Sequence, residues 1–498
     1  MHKTGHFIAG NNHIDNGRSI NIYNPNDGSI LDKITSATDE SINKAIESSL
    51  KAFEEWKNVS ISKRSQILYE FKILLEKNIL KIADLITHDL GKVKEDAIAE
   101  VRRGIENVEY AYGIGEILKG EHNKNVSSSI DSWSEFEPLG VVLGITPFNF
   151  PSMVPLWMFP LAIAAGNSFI LKPSEKDPLA SIFIAKLFNQ TSAPKGLLNV
   201  LNGDKEVVEK LLVNKNIKAV SFVGSTPVAK SVYKKSSEYG KRCQSLGGAK
   251  NHAMVLPDAN IDYSTNQIIS AAFGSSGQRC MALSVVMVFS EIKQKFLKSL
   301  TKKVSNLKVG LDIQESNSFG PLVSSDHREK VMNYIELSQK EGCEVILDGR
   351  DLLKGKNSNK GYHLGPTIID KVSNSMKSYK NEIFGPVLQV IEIENINEGI
   401  KIINENEFGN GCCIFTSNGQ YARKFSNNVD IGMVGINIPL PVPSSYHSFG
   451  GWKNSFFGDL GIYGPDGLRF YTNRKTITQK WPETENEKSK IDLSMPNN

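Results

Sequence analysis

The sequence predicts an α/β protein built around a doubly wound, mostly parallel sheet. From residue 140 onward, short apolar runs that suit buried strands alternate with stretches whose apolar residues recur at helical spacing. A second region of the same texture spans about 260–430. The 498 residues are enough for roughly two to four domains, and 40% hydrophobic residues is ordinary for a globular chain. In such a fold the ligand lies beyond the carboxyl ends of the parallel strands.

The first predicted helices lie in residues 61–91, where apolar residues recur every three or four positions and Gly91 offers a C-terminal stop. In the doubly wound region the predicted strands are GVVLGI, NSFILK, GLLNVLN and IKAVSFVG, and the predicted helices are VPLWMFPLAIAAG, ASIFIAKLFNQTS and DKEVVEKLLVN. The polar, alternating stretch 127–140 predicts an exposed hairpin, and 467–478 predicts another strand. The polar tail 482–498 predicts disorder.

Composition argues against several classes of protein. The net charge of +4 is spread along the chain, so no basic stripe points to nucleic acid. The sequence has no apolar run of about twenty residues, so it predicts no membrane span. The start of the chain lacks the layout of a secretory signal or an Arg-rich presequence, so we expect a cytoplasmic protein. The cysteines are odd in number and show no C-x-x-C spacing, which disfavours a disulfide framework or a metal site; they are Cys243, Cys280, Cys343, Cys412 and Cys413.

The stretch FVGSTPVAKS (222–231) partly resembles a P-loop. Ala229 stands where the second glycine belongs, and that glycine lets the backbone wrap a phosphate. The stretch EVILDG (344–349) could supply the second motif of a P-loop NTPase, but we disfavour this reading because of Ala229. In a milder reading, Gly224 and Ser225 lie at a helix N-terminus whose free N–H groups bind a pyrophosphate. The segment also fits a simple strand–helix turn.

Three further motifs place polar side chains at predicted strand ends and turns. In LKPSEKDP, Glu175 can accept both hydroxyls of an adenosine ribose, and it would repel a 2′-phosphate. In ITPFNFP, the amide of Asn149 is held in a rigid loop and can donate to a developing oxyanion. In NEIFGPVLQV, Glu382 precedes a turn. Taken alone, each motif also fits a solvated loop or a surface turn.

Cys280 lies in FGSSGQRCMALS and could be a buried spacer, a disulfide partner, a metal ligand or a nucleophile. A structural cysteine usually sits in an apolar run, whereas Cys280 follows Gly277, Gln278 and Arg279 at a loop that we expect to lead into a helix. A helix N-terminus and a nearby cation both favour the thiolate. No histidine partner is evident. We predict that Cys280 is a nucleophile.

Together these motifs resemble those of the aldehyde dehydrogenase superfamily, over about residues 10–480. TPFNFP, LKPSE, FVGST, GQRC, EIFGPV and FTSNG occur in the family's order. The resemblance implies NAD as cofactor, Cys280 as nucleophile, and Asn149 as oxyanion donor beside the Cys280 N–H. The implied cofactor contacts are Thr146, Phe148, Lys172, Glu175, Lys176, Ser225, Gly247 and Glu382. Among them, Lys172 and Glu175 would hold the adenosine ribose, Ser225 the pyrophosphate and Glu382 the nicotinamide ribose.

One departure from the family pattern bears on the reaction. Most hydrolytic members read E-L-G-G-K after the phosphate helix, and that glutamate activates water. Here the segment reads SLGGAKNHAMVLPDAN (245–260), which puts Leu246 or, with another gap placement, Ser245 at the glutamate position. Neither side chain can take a proton from water at neutral pH. A thiol acceptor, with a pKa of about 8.5, needs less help, so we expect acyl transfer to coenzyme A.

GQRCMALS, GAKNH, RGIENVEYA and INIPLPVPSS resemble the methylmalonate-semialdehyde dehydrogenase branch, which makes acyl-CoA from malonate or methylmalonate semialdehyde and releases CO₂. Such substrates carry a carboxylate, which an arginine can grip by a bidentate fork. The matching positions are Arg103 and Arg279. Arg103 also fits a surface helix charge, and Arg279 a thiolate-stabilising cation. The rival functions are a hydrolytic aldehyde dehydrogenase, a P-loop NTPase and a non-catalytic binding protein.

The resemblance also implies an aldehyde dehydrogenase-like domain plan. Residues 1–126 and 140–250 would form the NAD-binding domain, 251–445 an α/β catalytic domain, and 127–139 with 446–481 a small β oligomerisation element. The expected assembly is a homotetramer built from dimers, because exposed strand edges need partners. No motif points to a metal, a nucleic acid or a membrane.

Overall fold

The computed structural model describes residues 3–310, 318–354 and 361–481; the predicted disordered tail 482–498 lies outside them. Its helices are α1 Asp39–Trp56, α2 Ile61–Lys77, α3 Ile79–Leu90, α4 Lys94–Tyr112, α5 Ile114–Ile117, α6 Met153–Ala164, α7 Leu179–Phe188, α8 Lys205–Val213, α9 Thr226–Glu238, α10 Ile261–Phe273, α11 Ser290–Val304, α12 Ser325–Lys340, α13 Lys377–Lys380, α14 Ile396–Glu405, α15 Gly419–Asn428 and α16 Gly464–Phe470.

The strands are β1 Lys3–Thr4, β2 His6–Ile8, β3 Asn11–His13, β4 Ser19–Tyr23, β5 Ile30–Thr35, β6 His122–Ser127, β7 Ile130–Pro138, β8 Val141–Ile145, β9 Ser168–Lys172, β10 Leu198–Val200, β11 Ile217–Val223, β12 Arg242–Leu246, β13 Asn251–Val255, β14 Leu283–Phe289, β15 Glu344–Leu347, β16 Thr367–Asp370, β17 Val387–Ile393, β18 Phe408–Gly409, β19 Gly411–Phe415, β20 Met433–Ile436, β21 Trp452–Lys453, β22 Phe456–Phe457 and β23 Thr472–Lys480. Two 3₁₀ helices cover Gly274–Gly277 and Gly349–Lys354.

The first sheet has the strand order β22-β12-β11-β8-β9-β10-β2-β3, with a parallel centre from β12 to β10 and antiparallel edges. Alternate residues of its strands face opposite cores. Val142 and Phe169 pack with α2, α4, α6 and α7, whereas Val141 and Ile170 pack with α1, α8 and α9. Burial on both faces explains why these strands read as continuous apolar runs. The predicted doubly wound sheet is confirmed.

The second sheet has the order β15-β16-β17-β14-β13-β19-β20 and is parallel except for the β15–β16 edge pair. It too lies between two apolar cores, so the region 260–430 is a second α/β unit, as predicted. The two segments that could pose as NTPase motifs lie in different sheets, because FVGST ends β11 whereas EVIL is β15. This separation removes the pairing that a P-loop NTPase would need.

A third sheet joins β6, β7 and β23 in the order β23-β7-β6. The predicted hairpin is present, but its first strand begins at His122 rather than near residue 127. The predicted strand 467–478 differs more. Residues 464–470 form α16, and pairing with β7 begins only at Thr472. The segment 446–481 also supplies β22 to the first sheet. The domain boundaries remain a prediction.

The helices predicted in 61–91 are α2 and α3, and the second of these ends on Gly91 in the left-handed conformation, with φ of 66°. The Gly91 N–H donates to the Thr87 carbonyl at 2.8 Å, which is a regular C-terminal cap. No helix in the described part of the chain combines the length and the apolar character that a membrane crossing requires.

Candidate active site

Cys280 lies in the connection between α10 and β14, in a turn that leads into a strand and not into a helix. The predicted helix N-terminus beside the thiol is therefore wrong. Three consecutive residues before it adopt the left-handed conformation, Ser275 at φ 53°, Ser276 at 57° and Gly277 at 69°. A Cβ on Gly277 would come within 2.2 Å of the Gly385 carbonyl oxygen, so only glycine fits there. Such backbone persists only where neighbouring contacts fix it.

The backbone at Cys280 itself is held by side-chain amides that the sequence motifs did not single out as site residues. The Asn251 side chain, at the start of β13, donates to the carbonyl oxygens of Cys280 and Ala282, each at 2.9 Å. The Asn410 side chain also donates to the Cys280 carbonyl, at 3.0 Å. Two amides, one from the start of β13 and one from the residue between β18 and β19, thus fix the backbone of the predicted nucleophile. Asn251 lies in GAKNH, one of the motifs that carry the family resemblance, so this motif could have identified Asn251 as a site residue.

Burial raises the pKa of the Cys280 thiol to about 12, and the nearby Glu382 carboxylate adds to this effect. The backbone N–H groups of Met281 and Cys280 and the Arg279 charge act in the opposite direction. In the protein without ligands, the thiol is therefore protonated at neutral pH. The cation beside Cys280 helps the thiolate, as predicted, but it does not overcome desolvation.

Asn149 is buried in the loop between β8 and α6, and its side-chain N–H₂ donates to the Gln278 carbonyl at 2.9 Å. That contact places the amide two residues from Cys280. Lys92 donates to the Asn149 carbonyl at 2.8 Å and forms a buried ion pair with Glu100, with Nζ and Oε2 2.6 Å apart. Glu100 Oε1 accepts the backbone N–H groups at the start of α6. This network, which no sequence motif indicated, fixes the loop around Asn149.

A cavity of about 440 Å³ brings Cys280, Arg103 and Arg279 together. Its polar wall is one face of α4, which presents Asp96, Glu100 and Arg103 at helical spacing. The rest of the wall is mostly apolar and consists of Phe150, Met153, Trp157, Met281, Leu440, Val442 and Phe449. The segment that carries the predicted nucleophile and the segment that carries the first predicted arginine therefore meet at one small-molecule cavity.

Each arginine of the cavity is already paired with an acid. Arg279 Nη2 lies 2.6 Å from Asp96 Oδ1, and Arg103 Nη1 lies 2.6 Å from Glu106 Oε2. Arg103 Nη2 also donates to the Pro443 carbonyl at 3.2 Å. A guanidinium carries five N–H groups, so these contacts leave donors for a further anion. The sequence predicted both arginines but neither acidic partner.

The predicted cofactor contacts gather at the carboxyl ends of neighbouring strands of the first sheet. Thr146 directly follows β8, and its N–H donates to the carbonyl of Lys172, the last residue of β9. Lys172 Nζ donates to Glu175 Oε2 at 3.1 Å. Lys176 Nζ lies 5.4 Å from the centre of the Phe148 ring, within cation–π range.

Ser225 is the N-cap residue of α9, two residues after the end of β11, with no side-chain capping bond and an exposed side chain. Pro227 has no N–H, so the Thr226 and Val228 N–H groups in the first turn of α9 are the ones open to an anion. Gly247 lies next to this turn, since the Gly248 N–H donates to Thr226 Oγ1 at 2.8 Å. A Cβ on Gly247 would come within 2.9 Å of the Asn454 carbonyl oxygen, which accounts for the glycine.

Glu382 faces this glycine turn and accepts the Ala249 N–H at Oε1 at 2.9 Å. Burial raises the pKa of Glu382 to about 6, against the effects of the Ala249 N–H and of Lys330 and Lys250. Lys250 Nζ donates at 2.9 Å to the carbonyl of Asn381, the residue before Glu382. The Ala249 N–H thus holds the Glu382 side chain, and Lys250 holds the backbone beside it. Burial also lowers the pKa of Lys250 to about 7.

At the position where hydrolytic members carry a glutamate, the structure places β12. Ser245 is buried and donates to the Ala229 carbonyl at 2.8 Å, and Leu246 is buried in the core. Neither side chain is free to act on a water molecule. Neither of the two candidate positions in SLGGAK therefore supplies a water-activating side chain in the folded protein.

The chain matches known proteins over almost its whole length. The aldehyde dehydrogenase family profile matches residues 13–477. The malonate-semialdehyde dehydrogenase of Pseudomonas aeruginosa is 50% identical over 479 residues, which are 96% of this chain and 96% of that protein. The malonate-semialdehyde dehydrogenase of Halalkalibacterium halodurans is 44% identical over 467 residues, 94% of this chain and 96% of that protein.

Solved structures agree. The methylmalonate-semialdehyde dehydrogenase of Oceanimonas doudoroffii superposes with a TM-score of 0.95 at 51% identity, over 97% of this chain and 99% of that chain. A Sinorhizobium meliloti protein assigned as a methylmalonate-semialdehyde dehydrogenase, crystallised with NAD, gives a TM-score of 0.95 at 41% identity, over 97% and 99% of the two chains. Sequence, fold and site agree, and the chain belongs to the aldehyde dehydrogenase family.

Proposed function

We propose that this enzyme oxidises malonate or methylmalonate semialdehyde with NAD, releases CO₂ and transfers the acyl group to coenzyme A. One observation carries the proposal. A single cavity presents a cysteine nucleophile beside two arginines, while no acid occupies the water-activating position. The first feature suits an aldehyde that bears a carboxylate, and the second disfavours hydrolysis. Relatives at 44–50% identity that are named malonate-semialdehyde dehydrogenases support the same substrate class.

The residues at the strand ends fit NAD. Thr146 Oγ1 is buried, with no hydrogen-bond partner among the described residues, so it can bind a polar group of a ligand. Glu175 beside Lys172 suits a ribose diol, the start of α9 suits the pyrophosphate, and Glu382 suits the second ribose. NAD, when bound, accepts the hydride from the aldehyde carbon. The roles of Phe148, Lys176, Ser225 and Gly247 in this site are part of the proposal.

The chain's own groups carry the first half of the reaction. The thiol of Cys280 is protonated in the unliganded site, so it first loses its proton to water in the cavity, and the thiolate sulfur then adds to the aldehyde carbon. Asn149 donates to the resulting oxyanion with its free amide hydrogen, and the Cys280 N–H donates the second bond. Loss of the hydride turns the adduct into a thioester on Cys280. Arg103 and Arg279 hold the substrate carboxylate during these steps.

The second half breaks a carbon–carbon bond. The carboxylate leaves as CO₂, its bonding electrons pass onto the thioester carbonyl as an enolate, and the carbon then takes up a proton. The thiolate of coenzyme A attacks the thioester and expels the Cys280 thiolate. Ser245 and Leu246 cannot activate water, so the thioester survives long enough for this exchange.

The decisive experiment follows NADH formation from malonate semialdehyde with and without coenzyme A, with analysis of the products. We expect sustained turnover to acetyl-CoA and CO₂ with coenzyme A, and no more than about one turnover per site without it. Equal rates in both conditions, with a free acid as product, would establish the hydrolytic reaction instead.

We also propose a cytoplasmic homotetramer. The β6–β7–β23 sheet leaves β6 almost wholly exposed, and β20 ends the second sheet with Ile436 and nearby Ile438 exposed. Such edges need covering in a stable protein. The cysteines are free thiols, which suits a reducing compartment. Light scattering at micromolar concentration tests the assembly, and a monomer would refute it.

A further inference from the structure

Two cavities share the Arg279–Asp96 ion pair. The active-site cavity lies on one side of it, and a second cavity of about 420 Å³ lies on the other, lined by the start of α4, the end of α10 and residues near Leu307 and Phe319. Both residues contribute to both linings, and their side chains are 18% and 17% exposed. The ion pair therefore forms part of the wall between the two cavities.

Arg279 has room to leave the active site. Its guanidinium packs against Gly274, where a Cβ would come within 2.6 Å of Nη1, and this glycine leaves Arg279 open to the second cavity, which both residues line. Within the described residues, its Nη2 donates to the Asp96 carboxylate. Asp96 stands two helical turns before Arg103 on α4, on the face that lines the active site. The helix thus fixes the two guanidinium groups relative to each other.

We propose that Asp96 is a positioning residue, which holds the Arg279 guanidinium at the edge of the active-site cavity and so gives the enzyme its preference for aldehydes that carry a carboxylate. The selectivity for such aldehydes rests on the function proposed above. Two effects of Asp96 oppose each other. Its negative charge repels an incoming carboxylate, whereas its hold on Arg279 fixes the donors that receive that carboxylate. If placement outweighs repulsion, as proposed, removal of the Asp96 charge should weaken binding of the substrate carboxylate. If repulsion dominated, the same change should strengthen it.

The first test compares Asp96→Asn with Glu95→Gln in steady-state kinetics on malonate semialdehyde and propanal. Glu95 is the adjacent acid in the first turn of α4 and lines only the second cavity, so its variant removes the same charge from the same helix end. We expect Asp96→Asn to raise the KM for the semialdehyde roughly three- to tenfold, as coupled contacting residues do, and to change the KM for propanal much less. Asp96→Glu should restore most of the selectivity. An unchanged or lowered KM in Asp96→Asn would overturn the proposal.

The second test does not depend on the identity of the substrate. Iodoacetate carries a carboxylate and iodoacetamide does not, and both alkylate the Cys280 sulfur with loss of iodide. The ratio of the iodoacetate rate to the iodoacetamide rate for alkylation of Cys280, followed by mass spectrometry, therefore measures how strongly the site binds an anion beside Cys280. We expect a high ratio in the wild type and in Glu95→Gln, and a ratio at least about threefold lower in Asp96→Asn. A wild type without preference for iodoacetate, or a variant with an unchanged ratio, would overturn the proposal.

A double-mutant cycle separates positioning from a general effect on the fold. If Asp96 acts through Arg279, the ratio in Arg279→Ala should be nearly the same whether or not Asp96→Asn is added. Additive effects would contradict the proposed coupling. An enzyme that fails to oxidise malonate semialdehyde but shows these alkylation ratios would disprove the proposed function and leave the role of Asp96 standing.

Discussion

The cofactor side and the substrate side of the site are built in different ways. On the cofactor side, Thr146, Lys172 and Ser225 stand at the ends of adjacent strands of one sheet, where backbone geometry places them. On the substrate side, Arg103 comes from a helix and Arg279 from a loop 176 positions later, and each depends on an acidic side chain. In the proposed assignment, cofactor recognition relies on the sheet, whereas substrate recognition relies on two arginines from distant segments; Arg279 pairs with an acid on α4, and Arg103 pairs with an acid of its own helix. Changes on one side should leave the other side's selectivity intact.

The largest expected effect falls on Cys280, which lies where the two sides meet. Cys280→Ser should abolish NADH formation, by at least about 10⁴-fold, because a serine hydroxyl without a base is a poor nucleophile. The variant should still bind NAD, since the strand-end contacts are untouched. An NADH assay and a calorimetric NAD titration check both points. Cys343→Ser, at a cysteine that contacts Met376 in the second unit, serves as the control and should retain turnover. Appreciable turnover in Cys280→Ser would remove Cys280 from the mechanism.

The next effect concerns the substrate side alone. Arg103→Ala removes a charge-assisted contact to the substrate carboxylate, and such hydrogen bonds are worth about 1.5–3 kcal/mol. At about 1.4 kcal/mol per decade, kcat/KM for malonate semialdehyde should fall at least tenfold. Propanal makes no such contact, so its kcat/KM should change much less.

The matched control is Arg102→Ala, because Arg102 is the exposed neighbour on the same helix. Equal losses for propanal and malonate semialdehyde in Arg103→Ala would make Arg103 structural. Arg279→Ala is a less clean variant, since the Arg279 charge also lowers the pKa of Cys280.

The same difference decides what the sequence could predict. The cofactor side was predictable because each strand and the turn after it are contiguous in sequence, as in LKPSE and FVGST. The parallel sheet then brings those turns together without further information. The structure accordingly places Thr146, Lys172, Glu175 and Ser225 along one sheet edge.

The substrate side was only partly predictable. Arg103 and Arg279 could be named, but the pairing of Arg279 with Asp96 depends on how α4 packs against the loop before β14, whereas Arg103 and Glu106 pair at i,i+3 spacing within α4. The prediction of a helix N-terminus at Cys280 was wrong for a similar reason. The three left-handed residues before it are fixed by tertiary contacts, such as the close approach of Gly277 to Gly385, which no local propensity encodes.

A smaller effect is expected on the cofactor side. The wild type should prefer NAD to NADP, because Glu175 would face a 2′-phosphate as a like charge in a partly dehydrated cleft. Glu175→Gln should lower the ratio of kcat/KM for NAD to kcat/KM for NADP roughly three- to tenfold. It should not change the preference for malonate semialdehyde over propanal. Glu209→Gln, at an acid on α8, is the control for loss of one negative charge. Equal use of both cofactors by the wild type would count against the assigned role of Glu175.

The smallest effect concerns stability, again on the cofactor side. Burial raises the pKa of Glu382 from 4.5 to about 6, so folding favours its protonated form. That stabilisation is fully present below about pH 4.5 and is lost as the pH rises through about 6, which leaves an ionised carboxylate that disfavours the unliganded fold by at most roughly 2 kcal/mol at neutral pH. Glu382→Gln cannot ionise and avoids this cost. In the absence of NAD, the urea midpoint of the variant minus that of the wild type should therefore increase from pH 5 to pH 7.5. Taking the difference between the two proteins cancels all other titrating groups that the substitution does not touch. A gap that stays constant with pH would mean that Glu382 titrates normally, and that its contact with the Ala249 N–H already compensates for its burial.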